Sequence, residues 1–150
     1  MLISMKTARA PVRTTRRTGT TRSAGPGGHY AGTHLLLEIW GAKRLDHEPT
    51  IRRMLTEAVA ACRACLLSIE LHRFSPFNGI SGVAIIAESH ISIHTWPELG
   101  YAAMDIFMCG AAHPRRAIAV IRKHLRPTRV QLLELKRGNR RRPFQSSSRA

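Results

Sequence analysis

The sequence lacks the long apolar segments that would place the chain in a membrane. Its 150 residues contain no apolar run near the length of about twenty residues that a membrane-spanning helix needs. The first residues, MLISMKTARAPVR, lack the apolar core of a secretory signal peptide, so we do not expect secretion. The three cysteines are odd in number and do not suggest a disulfide framework, so we expect a reducing, cytoplasmic setting.

Acidic residues are missing from both ends of the chain. Residues 1–31 contain six Lys or Arg and no acid, and residues 136–150 contain six more and no acid. Residues 32–135 contain the other 12 of the 24 basic residues and all nine acids, so the net charge of +15 belongs mainly to the ends of the chain. Without a hydrophobic period, residues 1–31 and 139–150 predict disordered basic tails around a domain over 32–138. Such tails could bind nucleic acid weakly, could include a transit peptide, or could have no function.

Several motifs of common enzyme and metal sites are also missing. No GxSxG, HxH or HExxH pattern occurs, so a serine hydrolase has little support and no metal site is expected. Cys62 and Cys65 have the CxxC spacing, but no second pair of ligands accompanies them. Because both fall on the apolar side of a predicted helix, we interpret them as core cysteines.

The hydrophobic pattern predicts six strands and two helices. Strands are expected over residues 34–40, 68–74, 80–87, 91–96, 101–108 and 130–135, with helices from about 50 to 67 and from 114 to Pro127. The order β-α-β-β-β-β-α-β predicts an α+β fold, a two-layer sandwich in which a largely antiparallel sheet has both helices on one face. Apolar strands such as VAIIA and HLLLEIW indicate that the second face is also covered, so we expect dimerisation through the sheet or its edge.

Residues 87–98, AESHISIHTWPE, combine residue types that serine chemistry uses, with Ser89 between Glu88 and His90. A serine hydroxyl can attack the carbonyl of the preceding residue to give an ester, and β-elimination followed by hydrolysis then leaves a pyruvoyl group. The ketone of that group can condense with an amine and withdraw electrons, as pyridoxal phosphate does elsewhere. This chemistry needs a tight turn, a hydroxyl and a base, and the stretch supplies all three.

Position alone leaves simpler interpretations open. Strand alternation puts four side chains on one face: His90, Ser92, His94 and Trp96. An ordinary strand with one polar face would show the same pattern. Strand alternation also puts Ser89 and His94 on opposite faces. Cys109 follows a strand and precedes Gly110, where a ligand could approach closely, although buried cysteines are common.

From about His34 to Gly138 the sequence resembles the short prokaryotic S-adenosylmethionine decarboxylases, which are pyruvoyl-dependent. The resemblance rests on HLLLEIWGA, on GISGVAIIAESHISIHTWPELGYAAMDIFMCG and on LELKRG. It implies a dimerising two-layer α+β fold with active sites at or near the dimer interface and residues from both protomers. It also implies a Schiff base with S-adenosylmethionine, whose decarboxylated product donates the aminopropyl group for spermidine synthesis.

The resemblance implies roles in the self-cleavage that makes the pyruvoyl group. Cleavage of the zymogen is expected between Glu88 and Ser89, and Ser89 is expected to become the pyruvoyl group that forms the Schiff base. His94 is expected to serve as the base in processing, and Ser81 is expected to assist by hydrogen bonding.

The resemblance further implies roles toward the substrate. Cys109 is expected to return a proton to the product carbon, and Glu98 to bind the ribose hydroxyls. Phe74 resembles the aromatic residue that stacks on the adenine. Family members usually read F-x-P-x-G at this point, whereas this chain reads FSPFNG, so Phe77 could occupy that place instead.

Alternative functions stay open at this point. The longer FSPFNG segment keeps a pyruvoyl-dependent decarboxylase of a free amino acid, arginine or ornithine, as the first alternative. A binding module whose basic tails recruit nucleic acid, without catalysis, is the second. A degenerate homologue that is never processed is a third, but the intact ESHISIHTWPE motif argues against it.

Overall fold

The computed structural model describes residues 30–139, so the predicted tails lie outside the described residues except at their inner ends. Its elements are β1 (Tyr30–Trp40), α1 (Glu48–Ala61), β2 (Leu66–Phe74), β3 (Gly79–Ile86), β4 (Ser89–Trp96), β5 (Tyr101–Cys109), α2 (Ala117–Leu125) and β6 (Arg129–Asn139). Two short 3-10 turns, Pro97–Leu99 and Pro114–Arg116, precede β5 and α2. The predicted order of six strands and two helices is confirmed.

The six strands form one sheet in the order β2-β3-β4-β5-β1-β6, and every neighbouring pair is antiparallel. Consecutive strands β2 to β5 form a meander. β1 lies between β5 and β6, so it pairs with two strands that are distant from it in the sequence. Within residues 30–139, neither helix has the length and apolar character required to cross a bilayer.

The hydrophobic core lies between the two helices and one face of the sheet, which confirms the predicted α+β sandwich. The two helices contribute Ile51, Met54, Leu55, Ala58, Val59, Ala117, Ile121 and Leu125, and the sheet contributes inward residues such as Leu35, Leu37, Ile39, Ile91, Ile93, Met104 and Ile106. All of these side chains are at most 2% exposed. Apolar residues spaced by three and four along each helix form the stripe that packs on the sheet.

Local signals determine where the helices begin and end. α1 begins after His47, whose Nδ1 accepts a hydrogen bond from the Thr50 amide (N···N 3.3 Å), with Pro49 in the first turn. α2 ends at Leu125, because Arg126 adopts a left-handed conformation (φ +45°) and Pro127 follows it.

The end of α1 corrects one prediction. The helix ends at Ala61 and not near residue 67, because Arg63 takes a left-handed conformation (φ +59°) that turns the chain toward β2. Cys62 is fully buried in the core as predicted, but Cys65 lies beyond the helix and is exposed. The interpretation of Cys65 as a core cysteine is therefore wrong.

Three strand ends also differ from the predicted ones. β1 begins at Tyr30 and β6 continues to Asn139, because these two residues pair with each other across the sheet. Both strands therefore extend into segments that we expected to belong to the tails. β4 begins at Ser89, two residues earlier than predicted, because Ser89 pairs with Ile86 directly across the turn.

The second face of the sheet, which we call the open face, is not covered by either helix. Strand register places large apolar side chains on it that are 38–54% exposed: Trp40, Ile85, Trp96, Leu133 and Leu135. An antiparallel sheet can have one solvated face, but that face is then mostly polar. Large exposed apolar side chains on such a face are typical of an interaction surface.

Candidate active site

Ser89 lies at the exit of a tight turn between β3 and β4. Only Ala87 and Glu88 separate the paired residues Ile86 and Ser89. Glu88 has a φ of +65°, a left-handed conformation that costs a residue with a side chain about 1–2 kcal/mol. The peptide bond between Glu88 and Ser89 therefore follows a strained residue, at the position where cleavage was predicted.

The Ser89 hydroxyl is held by the end of the neighbouring strand β5. The backbone N–H of Cys109 donates to Ser89 Oγ at an N···O distance of 3.1 Å. Strand alternation places the Cys109 side chain on the open face, beyond Phe107. After Cys109 the chain turns at Gly110 (φ +64°), where an added Cβ would meet no atom within 4 Å. Ser89 and Cys109 are thus neighbours beside open space.

Ser81 and His94 form a second polar pair on the open face. They are directly opposite each other on β3 and β4, and Ser81 Oγ lies 2.8 Å from His94 Nδ1. The imidazole of His94 is exposed, and its ring centroid is 6.4 Å from that of Trp96. Ser81, which was expected to assist processing by hydrogen bonding, therefore has His94 as its hydrogen-bond partner.

A cleft of about 310 Å³ adjoins the Ser81–His94 pair. It is lined by Phe74, Ser75, Phe77, Gly79, Ser81, His94, Thr95, Trp96 and Glu98. The rings of Phe74 and Phe77 are 51% and 60% exposed, so both present free aromatic surface. Glu98 lies in the 3-10 turn after β4 and is also exposed. The cleft therefore combines aromatic faces with a carboxylate that can accept hydrogen bonds.

Buried Thr95 lies at the bottom of this cleft and fixes its shape. Its hydroxyl accepts a hydrogen bond from the Ile80 amide (2.7 Å) and lies 2.9 Å from the Leu45 carbonyl oxygen, to which it donates. At Gly79 an added Cβ would lie 2.6 Å from the Thr95 carbonyl oxygen, so only glycine permits this close approach. The loop that carries Phe74 and Phe77 is thus attached to β4 beside His94.

The two polar pairs are far apart within one protomer. His94 lies five residues after Ser89 on the same strand, which is about 16 Å at the usual rise of a β-strand. The structure thus brings together Ser81, His94, Phe74, Phe77 and Glu98 in one group. It places Ser89 and Cys109 in another, so His94 cannot reach the Ser89 of its own chain.

Sequence reasoning missed some polar groups on the open face. Asp105 lies with one oxygen 3.4 Å from His34 Nε2 and accepts from Ser92 Oγ with the other at 3.2 Å. Tyr101 donates to the Glu38 carboxylate, and this hydrogen bond with partial burial raises the pKa of Tyr101 to about 12. These contacts join distant strands, so no local pattern indicates them.

The site has no cluster of metal ligands among residues 30–139, and its cleft has one further lining residue, Trp96. Across residues 30–139, no group of three or more His, Cys, Asp or Glu side chains is placed to hold a metal ion. Trp96 also lines the cleft, a role that sequence reasoning did not assign. Its place on the same strand face as His94 was the available signal.

The fold and the site define a two-layer α+β protein with a serine at a strained hairpin turn and an aromatic cleft on the uncovered face of its sheet. Residues 33–138 match the family model of S-adenosylmethionine decarboxylase. The chain is 52% identical over 110 residues to the S-adenosylmethionine decarboxylase proenzyme of Methanococcus vannielii, covering 71% of this chain and 89% of that one. It is 44% identical to the corresponding Thermomicrobium roseum proenzyme, covering 71% and 93%.

The fold agrees with these sequence matches. The crystal structure of the adenosylmethionine decarboxylase from Aquifex aeolicus superposes with a TM-score of 0.66 at 32% identity, covering 81% of this chain and 99% of that one. The chain therefore belongs to the S-adenosylmethionine decarboxylase family, as its motifs indicated.

Proposed function

We propose that this protein cleaves itself between Glu88 and Ser89 and then decarboxylates S-adenosylmethionine with the pyruvoyl group that Ser89 becomes. The observation that carries the proposal is the setting of Ser89, which follows a left-handed Glu88 and has its hydroxyl held by the Cys109 amide. The product is the aminopropyl donor for spermidine synthesis. The pyruvoyl ketone supplies an electron sink for the carbon that loses carbon dioxide.

Self-cleavage assigns one task each to three residues. Ser89 Oγ attacks the Glu88 carbonyl carbon to form an ester, and a base must then remove the α-proton of Ser89. His94 serves as this base, and Ser81 orients it through the 2.8 Å contact to Nδ1. When Nδ1–H donates to Ser81, the Nε2 lone pair of His94 is free to accept the proton.

The cleft supports a nucleoside substrate. The exposed rings of Phe74 and Phe77 provide flat surfaces for adenine, and each such stacking contact contributes about 1 kcal/mol. The Glu98 carboxylate, on the same cleft, accepts hydrogen bonds from the two ribose hydroxyls. Cys109 donates a proton to the α-carbon of the product, because its strand end borders the open space beside Gly110.

We further propose that the functional unit is a homodimer in which each active site uses both protomers. Ser89 and Cys109 stand at one end of β4 and β5, whereas Ser81 and His94 stand about 16 Å away toward the other end. In a two-fold dimer the same patch on each protomer contacts the other, so opposite ends of the open face meet. The strand ends that carry Ser89 and Cys109 in each protomer then meet the end that carries His94 in the other.

The apolar side chains of the open face supply the driving force for this dimer. Trp40, Leu133 and Leu135 are 39–54% exposed in the isolated protomer. Their burial against a second copy stabilises the dimer by about 25 cal/mol for each Å² of apolar surface removed from water. Glu38 and Asp105 on this face already have hydrogen-bond partners in Tyr101 and Ser92, which lowers the cost of removing these two carboxylates from water.

Substrate competition tests the proposed reaction. The cleaved protein should release labelled carbon dioxide from carboxyl-labelled S-adenosylmethionine and not from arginine or ornithine, since neither amino acid has a ring for Phe74 and Phe77 to bind. Phe74→Leu and Phe77→Leu should be tested separately. The substitution that removes the ring stacked on adenine should raise the KM for S-adenosylmethionine. Release from arginine or ornithine alone would instead support the free-amino-acid alternative that the FSPFNG segment left open.

Complementation tests the two-protomer site. His94→Ala chains should be inactive alone because they form no pyruvoyl group, and Cys109→Ala chains alone should keep at most about a hundredth of the parent activity. Co-expressed chains should regain about a quarter of the parent activity. Half of the randomly formed dimers are mixed, and one of the two sites in each mixed dimer then carries neither substitution. Tagging the two chains differently allows the mixed dimer to be purified and its cleavage measured by gel. Activity no higher than that of the separate variants would contradict a site shared between protomers.

A further inference from the structure

The backbone amide of Cys109 is a hydrogen-bond donor aimed at a reacting atom. Its N–H points to Ser89 Oγ at 3.1 Å, although the two residues are 20 positions apart. On its other side Cys109 pairs with Gly32 of β1. At Gly32 an added Cβ would lie 2.8 Å from the Met108 carbonyl oxygen, so β1 packs tightly against this end of β5. The amide is therefore held by the sheet itself.

We propose that the Cys109 amide stabilises the leaving oxygen when the ester intermediate of self-cleavage is eliminated. This inference rests on the proposed self-cleavage at Ser89 and adds a catalytic group to it. The group is the backbone N–H and not the thiol, so it acts in a different step from the proton donation assigned to the side chain.

The electron balance of the reaction locates the charge on this oxygen. In the first step Ser89 Oγ bonds to the Glu88 carbonyl carbon, the peptide C–N bond breaks, and the hydroxyl proton passes to the Ser89 nitrogen. In the second step a base removes the Ser89 α-proton, and the electron pair forms the Cα=Cβ double bond. The Cβ–Oγ bond breaks, and Oγ keeps that pair as part of the new Glu88 α-carboxylate. The resulting enamine gains water and loses ammonia to give the pyruvoyl group.

The amide stabilises the elimination more than the initial attack. A donor near an attacking hydroxyl fixes its position but withdraws electron density from it, so the amide gives little acceleration there. During elimination the same oxygen becomes negatively charged, and hydrogen bonds to charged acceptors are roughly twice as strong as neutral ones. Since β1 and β5 hold the amide in place, no reorganisation is needed as the charge develops.

A single-atom replacement tests the assignment. In-vitro translation with a tRNA carrying S-protected 3-mercaptolactic acid, followed by deprotection, replaces the amide N–H of residue 109 by oxygen and keeps the thiol. The ester at Ser89 should still form, but its elimination should slow by about a hundredfold, as when one oxyanion-stabilising donor is removed. Hydroxylamine splits chains that have reached the ester at Ser89 into a fragment that ends at residue 88, which its size distinguishes from scission at the ester introduced before residue 109. A carbonyl reagent labels only chains that have gained the pyruvoyl group, so the two steps are read separately.

A matched control carries 2-hydroxy-4-(methylthio)butanoic acid, the hydroxy acid of methionine, at position 104, so that its amide N–H is replaced by oxygen. Met104 lies on the same strand, faces the core and is remote from Ser89, so this chain should be cleaved at the parent rate. Elimination at the parent rate in the residue-109 chain would overturn the proposal, and so would a block before the ester forms. If the unmodified chain never cleaves, the proposed function itself fails.

A structure of the stalled intermediate tests the same point without altering the backbone. His94→Ala should stop the protein at the ester, because the base for the elimination is missing. In a crystal structure of that variant, the Cys109 nitrogen should lie within hydrogen-bond distance of the ester oxygen that was Ser89 Oγ. An ester oxygen out of reach of this amide would refute the proposal, whatever the folding behaviour of the translated chain.

Discussion

Ser89→Ala will leave a single uncut chain with no decarboxylase activity. Alanine has no hydroxyl to attack the Glu88 carbonyl, so neither the ester nor the pyruvoyl group can form. The parent chain should instead separate into residues 1–88 and a fragment that begins at position 89. Denaturing electrophoresis and intact mass distinguish the two outcomes, and the loss of activity should be complete because the electron sink itself is absent.

Ser92→Ala provides the matched control for this prediction. Ser92 is another serine on β4, and its hydroxyl donates to Asp105 at 3.2 Å and not to any group at the turn. The Ser92→Ala chain should therefore cleave between Glu88 and Ser89. A Ser89→Ala chain that still splits at this bond would show that a different nucleophile cuts it, and the assignment of Ser89 would be wrong.

Local sequence patterns predicted most of the elements because each depends on nearby residues. Alternating and periodic apolar residues indicated all six strands and both helices, and the proline after α2 marked its end correctly. The failures occurred where distant residues decide. The pairing of Tyr30 with Asn139 extends β1 and β6 across more than a hundred positions, and no local signal contains it.

The end of α1 shows a second kind of failure. The apolar spacing continues to Cys65, so the pattern favoured a longer helix. Arg63 nevertheless adopts φ +59°, a conformation that Gly or Asn would have signalled and that arginine does not. The amide of Ala64 then bonds to the Val59 carbonyl oxygen at 3.2 Å, which closes the helix end. From Leu66 onward the chain pairs with β3 and so departs from the local helical periodicity.

Sequence reasoning named residues for the candidate site but could not give their arrangement. Strand alternation put Ser89 and His94 on opposite faces, and the structure adds that they lie about 16 Å apart along β4. The contact between Ser89 Oγ and the Cys109 amide could not be predicted, since it depends on the sheet order that places β5 beside β4. A residue pattern identifies reactive side chains, whereas the backbone groups that assist them become visible only when the strands are assembled.

Cys109→Ala will produce a protein that cleaves itself but turns over slowly. The substitution keeps the backbone amide at position 109, so the proposed support for self-cleavage remains. It removes the thiol that we propose as the proton donor to the α-carbon of the product after carbon dioxide leaves. General acid catalysis of this kind typically contributes between about 10² and 10⁴ in rate, so we expect turnover to fall within that range. Steady-state release of carbon dioxide from the cleaved variant measures the effect.

The same variant should also inactivate itself during turnover. Without a proton donor beside the α-carbon, protonation at the pyruvoyl carbon leaves alanine at position 89. N-terminal sequencing detects this change, because a pyruvoyl-blocked fragment resists the reaction whereas an alanine-begun fragment is read normally. Cys65→Ala serves as one control, since the Cys65 side chain is exposed and its bond to the turn comes from its backbone carbonyl, which accepts from the Ala87 amide (2.9 Å) and is kept by the substitution.

Cys62→Ala is the second control and separates stability from chemistry. Cys62 is fully buried, and desolvation raises the pKa of its thiol, so it is an inert core residue. Its truncation should lower the free energy of unfolding by about 1 kcal/mol and leave turnover unchanged. If Cys109→Ala instead behaves like Cys62→Ala, with lower stability but parent turnover and no alanine at position 89, the thiol of Cys109 does not donate the proton.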